Sequence, residues 1–525
     1  MSFAVALSRI TGLVREMVMS RLFGASMPYD AFRIGFQIPN LTRDLFAEGA
    51  LSSAFVPVFT DYLQNKSREE AARLANLVAT ALILFVGLMC LLGAVFSPWL
   101  VSLAASGFNQ TPGKAELAAH LTSIMFPFLL LVALAAQAMG ILNALKQFAV
   151  PALSSTFFNI GSVIFGLLLG VGFGPQLGLT PIEGMAWGVI VGGALQLGFQ
   201  VPALLKAGFR FQPVFDFSDP GLRLILRLMG PAILGSAATQ INVLVNSSVA
   251  SSIVDPIRGA DGPVSWIGYA FRFMHLPLGL FGVAIASATL PAISRSASAG
   301  NFDEFRRTLS RSLGLVFLLT VPSSIGLVLV SKPMIGAVYE GRMFQSYDTE
   351  QTAYALSCFC IGLAGYAAIK VLTPAFYALK DSRTPMMVSI ASVIVNYALA
   401  VLMVRILGLG HAGLALSTSG IALFSAVALF LLIRAKVEGL YGWALWNSLW
   451  RVGLASLGMG AVVWGATQFI GAWPYLLQLL VAIPLGVITF LASARLLRIE
   501  ELSLALDAFA GPLARRFPIL SKLRT

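Results

Sequence analysis

Long apolar stretches separated by short polar segments make up nearly the whole chain. The stretches reach about 20 residues or more, the length that an α-helix needs to cross the hydrocarbon core of a bilayer. We predict fourteen such helices, near residues 3–23, 29–62, 73–104, 118–145, 150–172, 183–206, 219–250, 264–295, 308–331, 351–379, 384–405, 411–434, 445–470 and 474–497. The pattern therefore predicts an all-α polytopic membrane protein.

Composition excludes a soluble globular protein. Of the 525 residues, 58% are hydrophobic and only 11% are charged, whereas about 25% of residues are charged in an average soluble domain. The net charge is +12, but the basic residues lie in short clusters between the apolar stretches. Such clusters are typical of membrane topology signals, so we expect no nucleic-acid partner.

Basic residues in alternate loops predict the orientation in the membrane, because lysine and arginine concentrate on the cytoplasmic side. The enriched loops contain Lys66, Arg68, Arg73, Lys146, Lys206, Arg210, Arg223, Arg227, Arg295, Arg306, Arg307, Arg311, Lys380, Arg383, Arg434, Lys436 and Arg451. An even number of helices with both termini in the cytoplasm satisfies this pattern. The first helix contains arginines where a signal peptide would be apolar, so we expect it to be retained.

An internal repeat is visible in the sequence. Residues 50–57 (ALSSAFVP) resemble residues 284–291 (AIASATLP), and Ala144-Leu145-Lys146 is identical to Ala378-Leu379-Lys380, both at a separation of 234 residues. Further matches at this separation are Pro151 with Pro385, Glu70 with Glu304, and Arg73 with Arg307. Because the separation spans six predicted helices, the repeats are parallel and related by an axis along the membrane normal.

The repeat predicts two six-helix lobes around a central cavity, the architecture of alternating-access transporters. We place the N-lobe at 1–215, the C-lobe at 216–437, a final helix pair at 438–497 and a cytoplasmic amphipathic tail at 498–525. In the tail, apolar residues recur at helical spacing and basic residues follow, which is typical of a helix on an anionic membrane surface. The apolar positions are Leu502, Leu506, Phe509 and Leu513.

The first fifty residues, although mostly apolar, carry many ionisable residues: Arg9, Arg15, Glu16, Arg21, Asp30, Arg33, Arg43, Asp44 and Glu48. Each charged side chain at the centre of a lipid-facing helix costs roughly 2.5–3.5 kcal/mol, so we expect these residues to face a polar cavity or one another. Asp30 and Asp44 are near enough in sequence to Arg33 and Arg43 to be their partners. The excess of arginine predicts an anionic ligand.

The second lobe contributes fewer ionisable residues within its helices. Arg272 is expected either to contact the ligand or to pair with an acid of the first lobe, such as Asp30 or Glu48. Lys370 has the same two interpretations. His275 lies one helical turn beyond Arg272 and is expected either to titrate or to pack as a hydrogen-bonded residue. We assign both Lys370 and His275 a gating or secondary role.

No catalytic motif is apparent. The sequence has no nucleophile elbow, no phosphate-binding loop followed by lysine and no helical His-Glu metal motif. Cys90, Cys358 and Cys360 lie in apolar stretches without further metal ligands nearby. We therefore expect no enzyme activity, metal or cofactor, and a driving force from an ion gradient, the membrane potential or consumption of product.

Several motifs resemble the MurJ (MviN) family of lipid II flippases, within the MOP exporter superfamily. They are Ser8-Arg9, Gly12, Arg15, Gly24-Ala25, Asp30-Ala31-Phe32, Pro39-Asn40-Leu41, Phe46-Ala47-Glu48-Gly49-Ala50, Ala54-Phe55-Val56-Pro57, Gly230-Pro231-Ala232-Ile233-Leu234-Gly235, Val264-Ser265-Trp266, Lys370-Val371-Leu372, Pro374 and Phe376-Tyr377. The resemblance covers nearly the whole chain. It implies fourteen helices, in two lobes and a final pair that forms a lipid-facing groove, in a monomer of the bacterial inner membrane.

The resemblance also implies a substrate and its contacts. The family exports the undecaprenyl-pyrophosphate-linked peptidoglycan precursor, and residues matching Arg9, Arg15, Asp30, Arg43 and Arg272 are its important cavity residues. Arginine suits a pyrophosphate because its planar guanidinium donates bidentate hydrogen bonds and stays charged. Arg21, Arg33 and Glu48 are expected to have secondary roles. Phe271 and His275 depart from the family pattern, in which many members have Asp and Glu, so ion coupling is expected to differ here.

Other interpretations stay open from the residues alone. The final helix pair carries almost no charge, and it either supplies an apolar track for a lipid tail or serves as padding or a partner surface. An exporter of another anionic lipid-linked glycan, or of drugs, would share the architecture. Drug exporters are expected to use acidic contacts for cationic drugs, and a non-transporting scaffold would have no need for charged residues within its helices.

Overall fold

A computed structural model describes residues 2–44 and 51–505, and within these ranges the protein is helical without a β-strand. The helices of the first half are α1 (Ser2–Phe23), α2 (Met27–Arg43), α3 (Ser52–Asn65), α4 (Arg68–Val95), α5 (Ser97–Ala104), α6 (Lys114–Met125), α7 (Phe128–Ala144), α8 (Ala149–Leu167), α9 (Pro181–Gly198), α10 (Val201–Lys206) and α11 (Pro220–Ser251).

The second half continues in the same way. Its helices are α12 (Pro263–Pro277), α13 (Val283–Ser298), α14 (Phe302–Tyr339), α15 (Ser346–Ile361), α16 (Leu363–Ala378), α17 (Arg383–Ala400), α18 (Gly410–Lys436), α19 (Gly442–Ile470) and α20 (Tyr475–Leu496). The predicted all-α polytopic fold is confirmed.

Ten helical segments in the described part of the chain are long and apolar enough to cross a membrane, and twelve if two bent pairs each count as one. One bent pair is α15 and α16, which meet at 44°. The bend falls at Gly362, where a Cβ atom would approach the Cα atom of Ser419 to 2.6 Å, so α18 packs directly against the backbone there. The count of fourteen spans and the cytoplasmic location of both termini stay predictions.

Matching helix caps recur at the separation of the sequence repeat. Ser67 caps α4 by accepting from the backbone N–H of Glu70, whose carboxylate accepts from the Ser67 backbone N–H. Asn301 caps α14 by accepting from the backbone N–H of Glu304, whose carboxylate accepts from the Asn301 side-chain amide. Both caps satisfy N–H groups that have no partner within the helix.

Matching helix ends recur as well. Lys146 and Lys380 follow α7 and α16 with positive φ values of 62° and 57°. After α7, the Gln147 N–H donates to the Leu142 carbonyl; after α16, the equivalent bond joins Asp381 and Phe376. This is the Schellman arrangement at both ends. The segments Leu168–Gly172 and Val401–Ile406, again one repeat apart, are both π-helical. The repeat therefore extends from the sequence to the backbone.

The residues group into two compact units, Met1–Ser265 with Gly341–Gln345, and Trp266–Glu340 with Ser346–Thr525. The first unit extends beyond the lobe boundary predicted at 215. The reason is that α11 belongs to its core, since Leu222 and Ile225 are buried in the same apolar cluster as Phe55 and Phe59 of α3.

In the second unit, the final helix pair packs against α14. Val452 and Met459 of α19 and Phe490 of α20 form one buried cluster with residues of α14. Leu502 is buried in the same cluster, with 7% of its surface exposed. Leu502 therefore packs within the protein, and the amphipathic tail over 498–525 stays a prediction. Leu506, Phe509 and Leu513 lie outside the described residues.

Candidate functional site

The arginines of α1 point in different directions. Arg9, Arg15 and Arg21 are each six residues apart, so successive side chains are turned by about 240° around the helix axis. Arg9 and Arg21 are exposed, whereas Arg15 is half-buried. The three arginines therefore do not form one stripe along α1, and only neighbouring helices decide which of them face a common site.

Arg15 lies over two aromatic rings of the first unit. Its guanidinium carbon is 5.8 Å from the ring centroid of Phe36 on α2 and 5.3 Å from that of Phe158 on α8. Such distances allow attraction between the cation and the ring faces. Next to Phe158, the Asn159 amide donates to the Ser8 carbonyl at 3.1 Å and to the Thr11 hydroxyl at 3.3 Å, which fixes α8 against α1.

The expected pair at the end of α2 is confirmed. The Arg43 guanidinium donates to the Asp44 carboxylate through Nη2 at 2.9 Å and through Nε at 3.2 Å. The side chains are 22% and 36% exposed. A partly exposed pair of this kind contributes about 0–1 kcal/mol to stability, so its main effect is to orient the guanidinium.

Asp30 has a partner that the sequence did not indicate. Its carboxylate lies 2.8 Å from the ammonium of Lys114, the first residue of α6, and neither side chain has exposed surface. Lys114 also donates to the carbonyl of Ala260 and to the carboxylate of Asp261, each at 2.8 Å. The only hint in the sequence is that Lys114 stands in a loop otherwise poor in basic residues.

Three further donors complete the surroundings of Asp30. The backbone N–H groups of Gly262 and Ser265 each donate to its carboxylate at 3.0 Å, and the Ser265 hydroxyl also donates to it. With four donors and no exposed surface, Asp30 contacts protein groups in this arrangement. In this arrangement Asp30 attaches the residues around the start of α12 to α2 and α6, and the ligand contact that we expected of it stays a prediction.

The remaining candidates divide between the two units. Arg33 is half-buried in the first unit, and Glu48 lies outside the described residues. In the second unit, Arg272 is half-buried, and Lys370 and His275 are exposed. The His275 ring packs edge-on against Phe271 with a centroid distance of 4.4 Å, so the two residues that depart from the family pattern contact each other.

Potential metal ligands do not cluster in the described part of the chain, where no group of three or more His, Cys, Asp or Glu residues could hold an ion. The three cysteines are buried thiols.

Helices of membrane-spanning length, with arginines on α1 and α2, define a polytopic helical membrane protein. The chain belongs to the MurJ family, since the family model described as "Lipid II flippase MurJ" matches residues 19–484. It is a multi-pass protein of the bacterial inner membrane.

Curated relatives support the same assignment. The chain is 34% identical over 471 residues to the lipid II flippase MurJ of Burkholderia cenocepacia, covering 88% of each chain. It is 35% identical over 471 residues to a probable lipid II flippase MurJ of Vibrio cholerae, covering 88% of this chain and 86% of the relative.

Solved structures agree with the fold. A structure titled "Lipid II flippase MurJ, inward closed conformation" matches with a TM-score of 0.75 and 26% identity, covering 94% of this chain and 98% of that one. An inward-facing MATE family transporter of the MOP superfamily matches with a TM-score of 0.61 at 15% identity, covering 81% and 98%. The second match shows the fold alone.

Proposed function

We propose that this protein moves lipid II, the undecaprenyl-pyrophosphate-linked peptidoglycan precursor, from the cytoplasmic to the periplasmic leaflet. The observation that carries the proposal is its membership of the MurJ family over residues 19–484. The protein acts as a transporter without catalysing a covalent reaction.

The arginines supply the contacts to the substrate. Arg9, Arg15, Arg43 and Arg272 bind the pyrophosphate, because a guanidinium offers five N–H donors in a plane and keeps its charge at every physiological pH. Arg21, Arg33, His275 and Lys370 have secondary roles in gating, and Glu48 is assigned the same role. The basic character of α1 disfavours cationic drugs as cargo, since these would require acidic contacts.

Asp30 has a role in gating, and the arginines make the contacts to the headgroup. Its buried bond to Lys114 and its bonds from Gly262 and Ser265 hold together three segments of the first unit. A gate of this kind opens only when these bonds break together, and partial opening is costly because it leaves a buried charge without its partner.

The lipid tail follows the final helix pair. Large apolar side chains are exposed along both helices, among them Leu457 and Trp464 of α19 and Leu480 and Val487 of α20. Such side chains form a surface for an isoprenoid chain, so the tail stays in apolar surroundings while the headgroup crosses.

Alternating access moves the headgroup. Arginines that approach one another without an anion repel each other and favour a hydrated, open site, whereas the bound pyrophosphate offsets that repulsion and permits closure. The energy comes from an ion gradient, the membrane potential or removal of the product on the periplasmic side.

Depletion of the protein in cells tests the proposal. We expect lipid II to accumulate in the cytoplasmic leaflet, measured by extraction after labelling from the periplasmic side. Normal delivery of lipid II to the periplasm in fully depleted cells would refute it. Purified protein reconstituted in vesicles gives the matching test. It should make lipid II accessible to a reagent added outside the vesicles.

A further inference from the structure

A cluster of three phenylalanines lies beside Arg15. The Phe128 ring packs against Phe36 at a centroid distance of 5.6 Å and against Phe158 at 5.2 Å. The guanidinium of Arg15 lies over Phe36 and Phe158. Two helices, α2 and α8, therefore contribute rings to one cationic side chain of α1, and Phe128 of α7 packs against both rings.

The positions of the two contacting rings are fixed independently of Arg15. Phe128 is almost completely buried and packs against both rings. The adjacent residue Asn159 holds α8 to α1 through its bonds to Ser8 and Thr11. Because the rings are braced in this way, they form a rigid surface for the guanidinium.

A ring face holds a guanidinium differently from a hydrogen-bond acceptor. The attraction acts through the negative face of the ring and needs no hydrogen-bond acceptor. The planar N–H donors of a guanidinium match the spacing of phosphate oxygens. Lysine, a point charge on a flexible stem, would lack this fixed donor plane.

We infer that Phe36 and Phe158 are positioning residues that hold the Arg15 guanidinium over their ring faces and so place it for contact with the pyrophosphate of the transported lipid. This inference rests on the proposed function and deepens it, because it assigns two aromatic residues to the recognition of one phosphate group. Phe128 braces the two rings without lying under the cation.

Fluorinated phenylalanine provides the sharpest test, since 3,4,5-trifluorophenylalanine keeps the shape of the ring while weakening its negative face. Placed singly at position 36 or 158 of the full-length protein, it is expected to lower the affinity for lipid II by about three- to fivefold. At position 128 the same substitution is the matched control, and the affinity is expected to stay unchanged. Phe36→Leu and Phe158→Leu are expected to lower the affinity for lipid II by a similar factor.

A second readout does not depend on the ligand. In the NMR spectrum, the Arg15 Nε–H should be shifted upfield by the two rings, and Phe36→Leu or Phe158→Leu should remove that shift. Equal effects of fluorination at all three positions, or none at any, in a protein that binds lipid II would overturn the inference and leave the proposed function intact. An unperturbed Arg15 resonance in the leucine variants would also overturn it. A wild-type protein with the ring shift but without affinity for lipid II would overturn both.

Discussion

The ammonium of Lys114 lies 2.8 Å from the carboxylate of Asp30, with no exposed surface on either side chain. The two residues are separated by 84 positions in the chain, yet together they connect α2, α6 and the segment before α12. A buried pair is costly to break on one side only, because the remaining charge has no solvent to stabilise it.

Lys114→Met is therefore expected to lower the free energy of unfolding by about 3–5 kcal/mol. Thermal unfolding of the purified protein in detergent measures the loss. The control is Arg73→Met, which removes an exposed pair with Asp216 and should cost less than about 1 kcal/mol. Equal melting temperatures of the two variants would contradict the structural role of Lys114.

Alanine at Arg9, Arg15, Arg43 or Arg272 is expected to abolish export while the protein still inserts, since each change removes a bidentate donor for the pyrophosphate. Lysine at the same positions should restore export only in part. Complementation of a depleted strain measures this, with Arg223→Ala as the control because Arg223 is exposed near the start of α11. Full growth with all four alanine variants at normal expression would refute the anion site.

Gln37 of α2 donates to the Ser247 hydroxyl of α11 at 2.5 Å. If transport requires these two helices to separate, cysteines at the two positions should form a disulfide that blocks flipping, and a reductant should restore it. The two single-cysteine variants are the controls, and both should be active. Undiminished flipping with the disulfide intact would show that α2 and α11 stay together throughout the cycle.

Asp381, in the loop after α16, predicts a measurable pH dependence. The Lys436 ammonium, 2.5 Å away, together with the N–H and hydroxyl of Thr384, holds the pKa of this carboxyl well below its usual range. A lowered pKa means that the carboxylate stabilises the fold above the ordinary pKa of about 4 and that this contribution is lost as the pH falls through the lower value of the folded protein.

Asp381→Asn should therefore melt at a lower temperature than the wild type at pH 7, by a small amount because Lys436 is 41% exposed and solvent screens the pair. The difference should shrink as the pH is lowered below about 4. A difference that stays constant from pH 7 down to the acid limit of the folded protein would contradict the assignment.

Two truncations test the buried Leu502 separately from the residues that follow Ala505. Removing everything after Ala505 should leave transport measurable, since it keeps the buried Leu502. Removing everything after Ile499 should also destabilise the second unit, by about 1.5–3 kcal/mol for the loss of one buried leucine. Melting temperature and flipping are measured on both proteins. Equal stability would mean that Leu502 contributes nothing to the core.

The helices were predictable because helix formation in a membrane depends on local composition. A stretch of about 20 apolar residues has few alternatives in a bilayer, where the backbone must satisfy its own hydrogen bonds. The repeat was predictable because its matching residues also make local contacts. Glu70 and Glu304 bond back to the capping residues Ser67 and Asn301 across only three positions, so this role depends on the local sequence alone.

Contacts between neighbours in sequence were predictable too, as for Arg43 with Asp44. The sequence could also establish that the first fifty residues carry an excess of positive charge, because a count of residue types needs no structure. This excess predicts an anionic ligand, and the contacts of the individual arginines to it stay a prediction.

Only the tertiary structure decided which side chains meet. Asp30 was expected beside Arg33, yet its carboxylate pairs with Lys114, and Arg15 lies over Phe158, which comes 143 positions later in the chain. Helical spacing determines the direction of a side chain only relative to its own helix axis. The partner depends on how separate helices pack, and that packing is set by all of their surfaces together.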